Sequence, residues 1–252
     1  MNEWLDDFKV AVGFLTRLPV PHPDGAAPPN FARAYRMFPV VGALIGAAVG
    51  LICLGLRYLG VPDLAAAALA LGASAILTGA LHEDGLADIA DGFGGGRDRA
   101  AKLEIMRDSR LGTYGALILL VSFAAKLSAL AAIPDGYVVP GLIAVHALAR
   151  GVLPALALNL PYARQDGLAR TSGQPDATTT AIAGALALLI ALVTLSWTNA
   201  LWAAAASAIS GFAIARLALR QIGGQTGDVL GAAEQVAETA ILVSLAARLA
   251  QP

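Results

Sequence analysis

Charge and cysteine are both scarce in this chain of 252 residues. Only 14% of it is charged, against about 25% in soluble domains, so a water-exposed globule is a poor fit. The formal net charge is −1, which gives no bulk attraction to nucleic acid, and no nucleic-acid partner is expected. A single cysteine, Cys53, sits in an apolar run; it excludes an intrachain disulfide and any multi-cysteine zinc site. Neither a hydrolase nucleophile elbow nor a dinucleotide-binding glycine fingerprint occurs. The opening MNEWLDDFKV is acidic and lacks the basic flank of a secretory signal, so insertion is expected to rely on internal spans. No convincing internal repeat and no long linker interrupts the chain, and residues 1–252 read as one membrane-embedded domain.

What is abundant is apolar. Hydrophobic residues make up 57% of the chain and the mean hydropathy is +0.68, which places it in a lipid bilayer. About 20 apolar residues cross a bilayer, and seven candidate spans cover about 38–60, 61–81, 113–133, 138–160, 178–197, 200–220 and 229–250. Breaks are expected at Gly60–Val61–Pro62, at Ile133–Pro134–Asp135–Gly136 and at Trp197–Thr198–Asn199. The fold class is therefore an all-α polytopic bundle, its high Ala and Gly content suited to close helix packing in lipid. Ahead of the first span, Trp4, Leu5, Phe8, Val12 and Leu15 form a helical stripe, which predicts an interfacial helix lying on the membrane; packing on the bundle's own surface is the alternative. Pro19, Pro21, Pro23, Pro28 and Pro29 then make an irregular connector.

Basic residues sort the junctions into two sets. One holds Arg33 and Arg36, the 82–112 segment, Arg164 and Arg170, and Arg216 and Arg220; the other holds Arg57 and Arg248. The positive-inside rule puts the first set and the N-terminus in the cytoplasm, the C-terminus outside, and the protein in the cell (plasma) membrane.

The polar residues are concentrated. Residues 82–115, HEDGLADIADGFGGGRDRAAKLEIMRDSRLGTYG, carry seven of the eighteen acidic and five of the seventeen basic residues. Asp84, Asp88 and Asp91 recur at i, i+4 and i+7, one face of a helix. Carboxylates so close repel each other, and hard oxygen ligands favour magnesium or manganese between them. The glycine run Gly92–Gly96 allows tight turns. Arg97, Arg99, Lys102, Arg107 and Arg110 follow, so an acidic metal face adjoins a basic cluster, the combination a diphosphate needs. Charge runs between spans are usually solvated loops, but the carboxylate period and the glycines argue against that here. His82 is a candidate ligand or hydrogen-bond partner. A second constellation is Arg220-Gln-Ile-Gly-Gly-Gln-Thr-Gly-Asp228, leading to Glu234 and Glu238. Ionisable groups at that depth are costly and usually functional; Lys126, His146 and Arg150 are also intramembrane. Two readings stay open for the glutamates: ion pairs with Lys126 or Arg150, or a polar cavity for substrate or metal.

At these residues the chain resembles the cobalamin synthase family, the adenosylcobinamide-GDP ribazoletransferases. The resemblance rests on Glu83-Asp84-Gly85-Leu86-Ala87-Asp88 with Asp91-Gly92, Glu104-Ile105-Met106-Arg107-Asp108-Ser109-Arg110 and Gly112-Thr113-Tyr114-Gly115. It extends through Phe14-Leu15-Thr16-Arg17-Leu18-Pro19, Pro161-Tyr162-Ala163-Arg164 and Gly223-Gly224-Gln225-Thr226-Gly227-Asp228, and so covers nearly the whole chain. It implies an integral membrane enzyme that needs magnesium and joins adenosylcobinamide-GDP to alpha-ribazole, or its 5′-phosphate, with release of GMP. On that footing Asp84, Asp88 and Asp91, with Glu83, are the metal ligands. Asp108 or Asp228 would take the hydroxyl proton. Arg97, Arg107, Ser109, Arg110, Thr226, Glu234 and Glu238 would contact substrate or phosphate. A homo-oligomer is compatible with this composition. The Asp-Gly-x-x-x-Asp-x-x-Asp pattern is also similar to that of the CDP-alcohol phosphotransferases, but Leu86-Ala87-Asp88 departs from their motif. An ion-coupled transporter would call for inverted repeats and broken helices, which the sequence does not suggest.

Overall fold

A computed structural model describes residues 3–21, 30–164, 167 and 173–249. Among the described residues every element is helical: α1 (Glu3–Leu15), α2 (Phe31–Ala34), α3 (Phe38–Tyr58), α4 (Asp63–Thr78), α5 (Leu81–Gly95), α6 (Arg99–Ile105), α7 (Thr113–Ala132), α8 (Asp135–Gly151), α9 (Leu153–Asn159), α10 (Ala177–Thr194), α11 (Trp197–Ile222) and α12 (Gly227–Leu249). A 3₁₀ turn, Tyr35–Met37, joins α2 to α3. Six helical stretches are long and apolar enough to cross a membrane, or seven if the bent pair α4–α5 counts as one span. The protein is thus a multi-pass helical bundle. Pro23, Pro28, Pro29 and Arg170 lie outside the described residues.

Two expected breaks fall where local chemistry puts them. Gly60, at φ 82°, turns the chain between α3 and α4, a conformation that costs glycine little. Pro134 precedes α8 and stops α7 at Ala132. The third break shifts. Trp197 opens α11 rather than interrupting the chain, because the Ser196 hydroxyl accepts from the Asn199 N–H as the cap. The second span is also shorter than expected. Gly79 and Ala80 both adopt left-handed backbone, φ 69° and 54°, and α5 leaves α4 at 92°. An L-residue such as Ala80 takes that conformation at a cost of roughly 1–2 kcal/mol, so the bend is held by its surroundings.

The helices approach closely because they present glycine. On α3, Gly42, Gly46 and Gly50 lie at four-residue spacing against α8. A Cβ on Gly46 would stand 2.2 Å from the Leu142 carbonyl oxygen, and one on Gly42 would stand 2.3 Å from that of His146. Small residues at this period let two backbones touch where lipid supplies no hydrophobic drive. At the far end of α3, Arg57 donates to the Leu130 and Ile133 carbonyls, both at 2.8 Å, and to Asp135 at 2.9 Å. It thereby caps α7 and ties α3, α7 and α8 together.

The glycine run behaves differently from the expected tight turns. Gly92, Gly94 and Gly95 remain inside α5, and the chain becomes extended only at Gly96. Their missing side chains make room instead. A Cβ at Gly94 would lie 2.7 Å from the Tyr114 ring, and one at Gly92 would lie 2.5 Å from Met106. The polar segment therefore runs as helix through Gly95 and, after Gly96, as α6. The N-terminal helix α1 buries Asp7, Ala11 and Leu15 against the bundle and leaves Trp4 and Leu5 exposed. Its anchor is ionic: the Asp7 carboxylate accepts from Arg33 at 3.0 Å and lies 2.7 Å from Arg36, whose guanidinium covers the Trp4 ring at 3.9 Å.

The α3–α8 contact predicts a sharp contrast between glycines. Gly46→Ala should destabilise the protein by about 1–3 kcal/mol through overpacking, read as a lower melting temperature in detergent. Gly55→Ala on the same helix meets nothing within 4 Å and should be neutral or slightly stabilising. Equal melting temperatures for the two variants would contradict backbone contact at Gly46.

Candidate active site

Three distant segments meet at one cleft. The first is the start of α5. The second is the turn Pro161–Arg164, which pairs with Gly224–Gln225 through an isolated parallel bridge: the Gln225 N–H donates to the Pro161 carbonyl at 2.8 Å, and the Ala163 N–H donates to that of Gln225 at 2.9 Å. Gly224 is required there, since its Cβ would fall 2.1 Å from the Pro161 oxygen. The third is the first turn of α12. Thr226 caps that helix, accepting from the Val229 N–H at 3.3 Å, and its hydroxyl donates to Asp228 at 3.1 Å. The bridge thus sets Arg164 beside Asp228, with Nη2 and the carboxylate 3.4 Å apart.

The cleft holds about 740 Å3 of empty space, its open mouth included, and is lined by Asp84, Arg164, Asp228 and His82 together with Phe14, Tyr35 and Phe38. Asp88 sits half-buried beside it, and the charges of Asp84, Asp228 and Asp91 all bear on it, relieved only by Arg164. Arg164 has a further feature: among the described residues its buried Nη1 has no hydrogen-bond partner. A buried unsatisfied guanidinium nitrogen is costly and matches an anionic ligand.

The expected site residues divide. Asp84, Asp88 and Asp228 come together. Asp91 lies on the same helix, but its carboxylate caps α7, accepting from the Gly112 and Gly115 N–H groups at 2.8 and 2.9 Å. Glu83 faces the other way, its charge bearing on Lys126, Glu238 and Glu234. Thr226 is present as the residue that orients Asp228. Arg97, Arg107 and Ser109 are exposed, away from the cleft lining. Arg110 is exposed and donates its Nε to both Asp108 oxygens at 3.0 Å; its side chain and backbone N–H hold the Asp108 carboxyl down at about 2. These two line a shallow, open depression with Asp91 and Tyr114. The basic cluster is partly architectural. Arg99 donates to the Ile222 and Ala163 carbonyls at 2.8 and 2.7 Å, and Lys102 donates to Gln221, fastening α6 to the end of α11.

Glu234 and Glu238 lie behind the cleft, outside its lining. Arg150 Nη1 stands 2.6 Å from Glu234, and Lys126 donates to Glu238 at 3.1 Å and to Gln235 at 2.7 Å. His146 lies 3.3 Å from Glu238, and His82, which reaches the cleft, lies 3.2 Å from Glu234. Two cations thus face these two carboxylates where water is excluded, and Glu83 lies close enough for its charge to bear on Lys126 as well. His146, Glu234 and Glu238 are the one trio of potential metal ligands among the described residues with donor atoms within 4.8 Å of one another. Arg150 and Lys126 already supply the positive charge there, so a metal ion would bring an excess. The aspartates at the cleft are spread more widely, and their excess negative charge faces an open space. Magnesium keeps several waters and takes one or two carboxylates plus phosphate oxygens, so this donor set fits it without a closed shell.

Sequence reasoning missed Arg164, Phe14, Tyr35 and Phe38 as cleft residues. Arg164 and Phe14 stood in quoted motifs, but nothing local marks their direction; the signal is the long-range pairing of residues 161–163 with 224–225.

Removing one partner from the buried network should be expensive. Glu238→Gln leaves Lys126 without its carboxylate and should cost about 3–5 kcal/mol, measured as a fall in melting temperature. Combining it with Lys126→Met should recover most of that loss. A Glu238→Gln protein as stable as wild type would mean the pair is not formed.

With this geometry in hand, the relatives can be compared. A family model described as cobalamin-5-phosphate synthase matches residues 7–246. A protein of Bradyrhizobium diazoefficiens named adenosylcobinamide-GDP ribazoletransferase is 48% identical over 242 residues, covering 96% of this chain and 93% of its own. Proteins of the same name from Sinorhizobium medicae and Azorhizobium caulinodans are 43% and 44% identical, covering 98% and 96% of this chain and 98% and 95% of theirs. No solved structure matches the chain.

Proposed function

The chain belongs to the cobalamin-5-phosphate synthase family, and on that premise we propose that it is an adenosylcobinamide-GDP ribazoletransferase acting in a late step of cobalamin synthesis. In this reading a free ribose hydroxyl of the acceptor attacks the phosphorus nearer cobinamide in adenosylcobinamide-GDP; because alpha-ribazole 5′-phosphate, whose 5′ oxygen is already esterified, serves as acceptor as well as alpha-ribazole, the attacking group is a ring hydroxyl of the ribose rather than the 5′-hydroxyl. A new oxygen–phosphorus bond forms, the bridging oxygen–phosphorus bond breaks, and GMP leaves with the bridging oxygen. The observation that carries this is the meeting of Asp84, Asp228 and an Arg164 nitrogen without a partner at one cleft.

Phosphoryl transfer asks a protein for positioning and charge neutralisation more than for covalent help. Magnesium held by Asp84 and Asp88 would neutralise the diphosphate. Asp91 and Glu83 are less suited to share that task, because one caps α7 and the other faces Lys126. Arg164 binds a non-bridging phosphate oxygen through its free Nη1 and offsets charge on the leaving group. Thr226 holds Asp228 in the cleft, and Asp228 takes the hydroxyl proton. Asp108 is a weaker candidate for that step, because it lies outside the cleft, against Arg110 at the surface.

Purified protein supplied with donor and acceptor should release GMP in a magnesium-dependent manner. Asp88→Asn should abolish that release while membrane insertion and melting temperature stay near wild type. Arg164→Ala should slow turnover by about 10²-fold or more, the scale of losing one charge-stabilising donor. Wild-type turnover of Asp88→Asn at limiting magnesium would sink the metal assignment.

The orientation follows from charge: the N-terminus and residues 82–112 face the cytoplasm, and the last helix ends outside. In a Cys53→Ser background, a cysteine at exposed position 95, Gly95→Cys, should resist an impermeant thiol reagent in intact cells and react once they are permeabilised. Labelling of intact cells would reverse the topology.

A further inference from the structure

The cleft has two halves of opposite character. Asp84, Asp228 and Arg164 make one. The other is aromatic: Phe14 from α1 stacks on Phe38 from α3 at 5.8 Å between centroids and 18° between planes, and Tyr35 lies 4.6 Å from Phe38. All three rings line the same cleft as the charged groups. Phe31 adds an edge-on contact to Phe14 at 6.0 Å, and the four rings pack together with no room for a water molecule among them. Tyr35 and Phe38 are only 4% and 3% exposed. The cleft is thus walled on this part by ring faces held in place, as a stacking platform requires.

We propose that Phe14, Tyr35 and Phe38 form the slot that takes the planar base of the acceptor nucleoside, putting its ribose toward Asp228 and Arg164. The inference rests on the transferase reading above and adds to it a place and a chemical preference. Ring faces bind any flat π-system, and stacking contributes about 1–3 kcal/mol per base. Polarity decides which ring of the two substrates belongs there. Of the four aromatic side chains only Tyr35 has a hydrogen-bonding group, and Leu81, Leu153 and Leu230 complete the apolar lining. Guanine carries several donors and acceptors around its edge. Those would be stripped of water and left unpaired, at a penalty no stacking recovers. A benzimidazole-type ring carries one ring-nitrogen acceptor and an otherwise apolar edge, and so leaves far less unpaired. The slot is therefore a specificity determinant for an apolar bicyclic base. It is also a positioning device, because a stacked ring fixes where the ribose hydroxyl points.

Steady-state GMP release by purified full-length protein tests this, varying acceptor and donor separately for wild type, Phe38→Leu and Phe14→Leu. Both variants should raise KM for alpha-ribazole about 10-fold, within the range stacking loss gives. KM for adenosylcobinamide-GDP should stay within about threefold. Free benzimidazole should compete with alpha-ribazole on the wild type, and guanosine should not; this arm stands even if a variant fails to fold. A rise in the donor KM with the acceptor KM unchanged would assign the slot to the guanine and overturn the proposal. Unchanged constants in both variants, or no competition by benzimidazole, would overturn it as well. A wild type that releases no GMP at all removes the transferase reading and the slot together, whereas an active wild type with indifferent Phe variants removes the slot alone.

Discussion

The backbone contact between α5 and α12 governs the candidate site. A Cβ on Gly85 would stand 2.9 Å from the Asp228 carbonyl oxygen, and one on Gly231 would stand 3.3 Å from the His82 Cα. Gly85 has no room for a side chain, and at Gly231 a methyl would fit only if the His82 backbone yielded by a few tenths of an ångström. Because the two helices touch at these glycines, Asp84 and Asp88 reach the same space as Asp228, and His82 reaches Glu234. Separating the helices by a single methyl would pull apart both the cleft and the ion pairs behind it, since each is made from the same two elements.

The buried network is then best understood as what keeps that contact in register. Arg150 on α8, Lys126 on α7 and the two glutamates on α12 join three helices with neutralised charge. Ion pairs in low dielectric add little net stability compared with apolar packing, yet they penalise strongly any arrangement that separates them. Ala- and Gly-rich helices in lipid have few large side chains to fix their rotation, and packing surfaces so alike leave rotation and sliding poorly specified. Charged partners supply that missing specificity. They sit one layer below the cleft, with His82 the residue that belongs to both layers.

Much of the fold was legible because hydropathy is a local property. The spans, the Gly60 turn and the Pro134 stop each follow from a few neighbouring residues. The departures came from competing local chemistry: the Ser196 cap extended α11 to Trp197, and consecutive left-handed residues at 79 and 80 bent α4 away from α5. The glycine run misled for a related reason. Glycine permits a turn but equally permits close packing, and only the neighbour, Tyr114 or Met106, decides between them. In the cleft, the spacing of Asp84 and Asp88 put them on one helical face, where they stand. The guanidinium that joins them is Arg164, far along the chain, while the nearer Arg107 and Arg110 stay at the surface. Sequence proximity pointed to arginines that lie at the surface, since the pairing of residues 161–163 with 224–225, which brings Arg164 to the cleft, leaves no periodic trace.

That pairing also explains why the cleft forms where the bundle is least regular. A helix satisfies its own backbone and directs side chains outward at fixed angles, so two carboxylates and a guanidinium from parallel helices would meet only by side-chain reach. The extended turn at Pro161–Arg164 breaks that limit. The Pro161 carbonyl and the Ala163 N–H are met by the Gln225 backbone, the Ala163 carbonyl by Arg99, and the Gln225 side chain donates to the Ala157 and Leu160 carbonyls just ahead of the turn at 2.8 Å. An irregular segment is tolerated within a membrane protein only when its polar groups are met by protein in this way. Once they are met, Arg164 can enter the cleft from a direction no helix offers. The aromatic rings of α1 and α3 close the opposite side, and α1 in turn is fastened by the Asp7 pairs with Arg33 and Arg36. The polar chemistry and the apolar wall therefore come from elements held by separate anchors, the bridge and Gln225 for one, Asp7 for the other. A base bound on the rings and a phosphate bound at Arg164 would be positioned by two independent fixtures, which is the rigidity an in-line displacement demands.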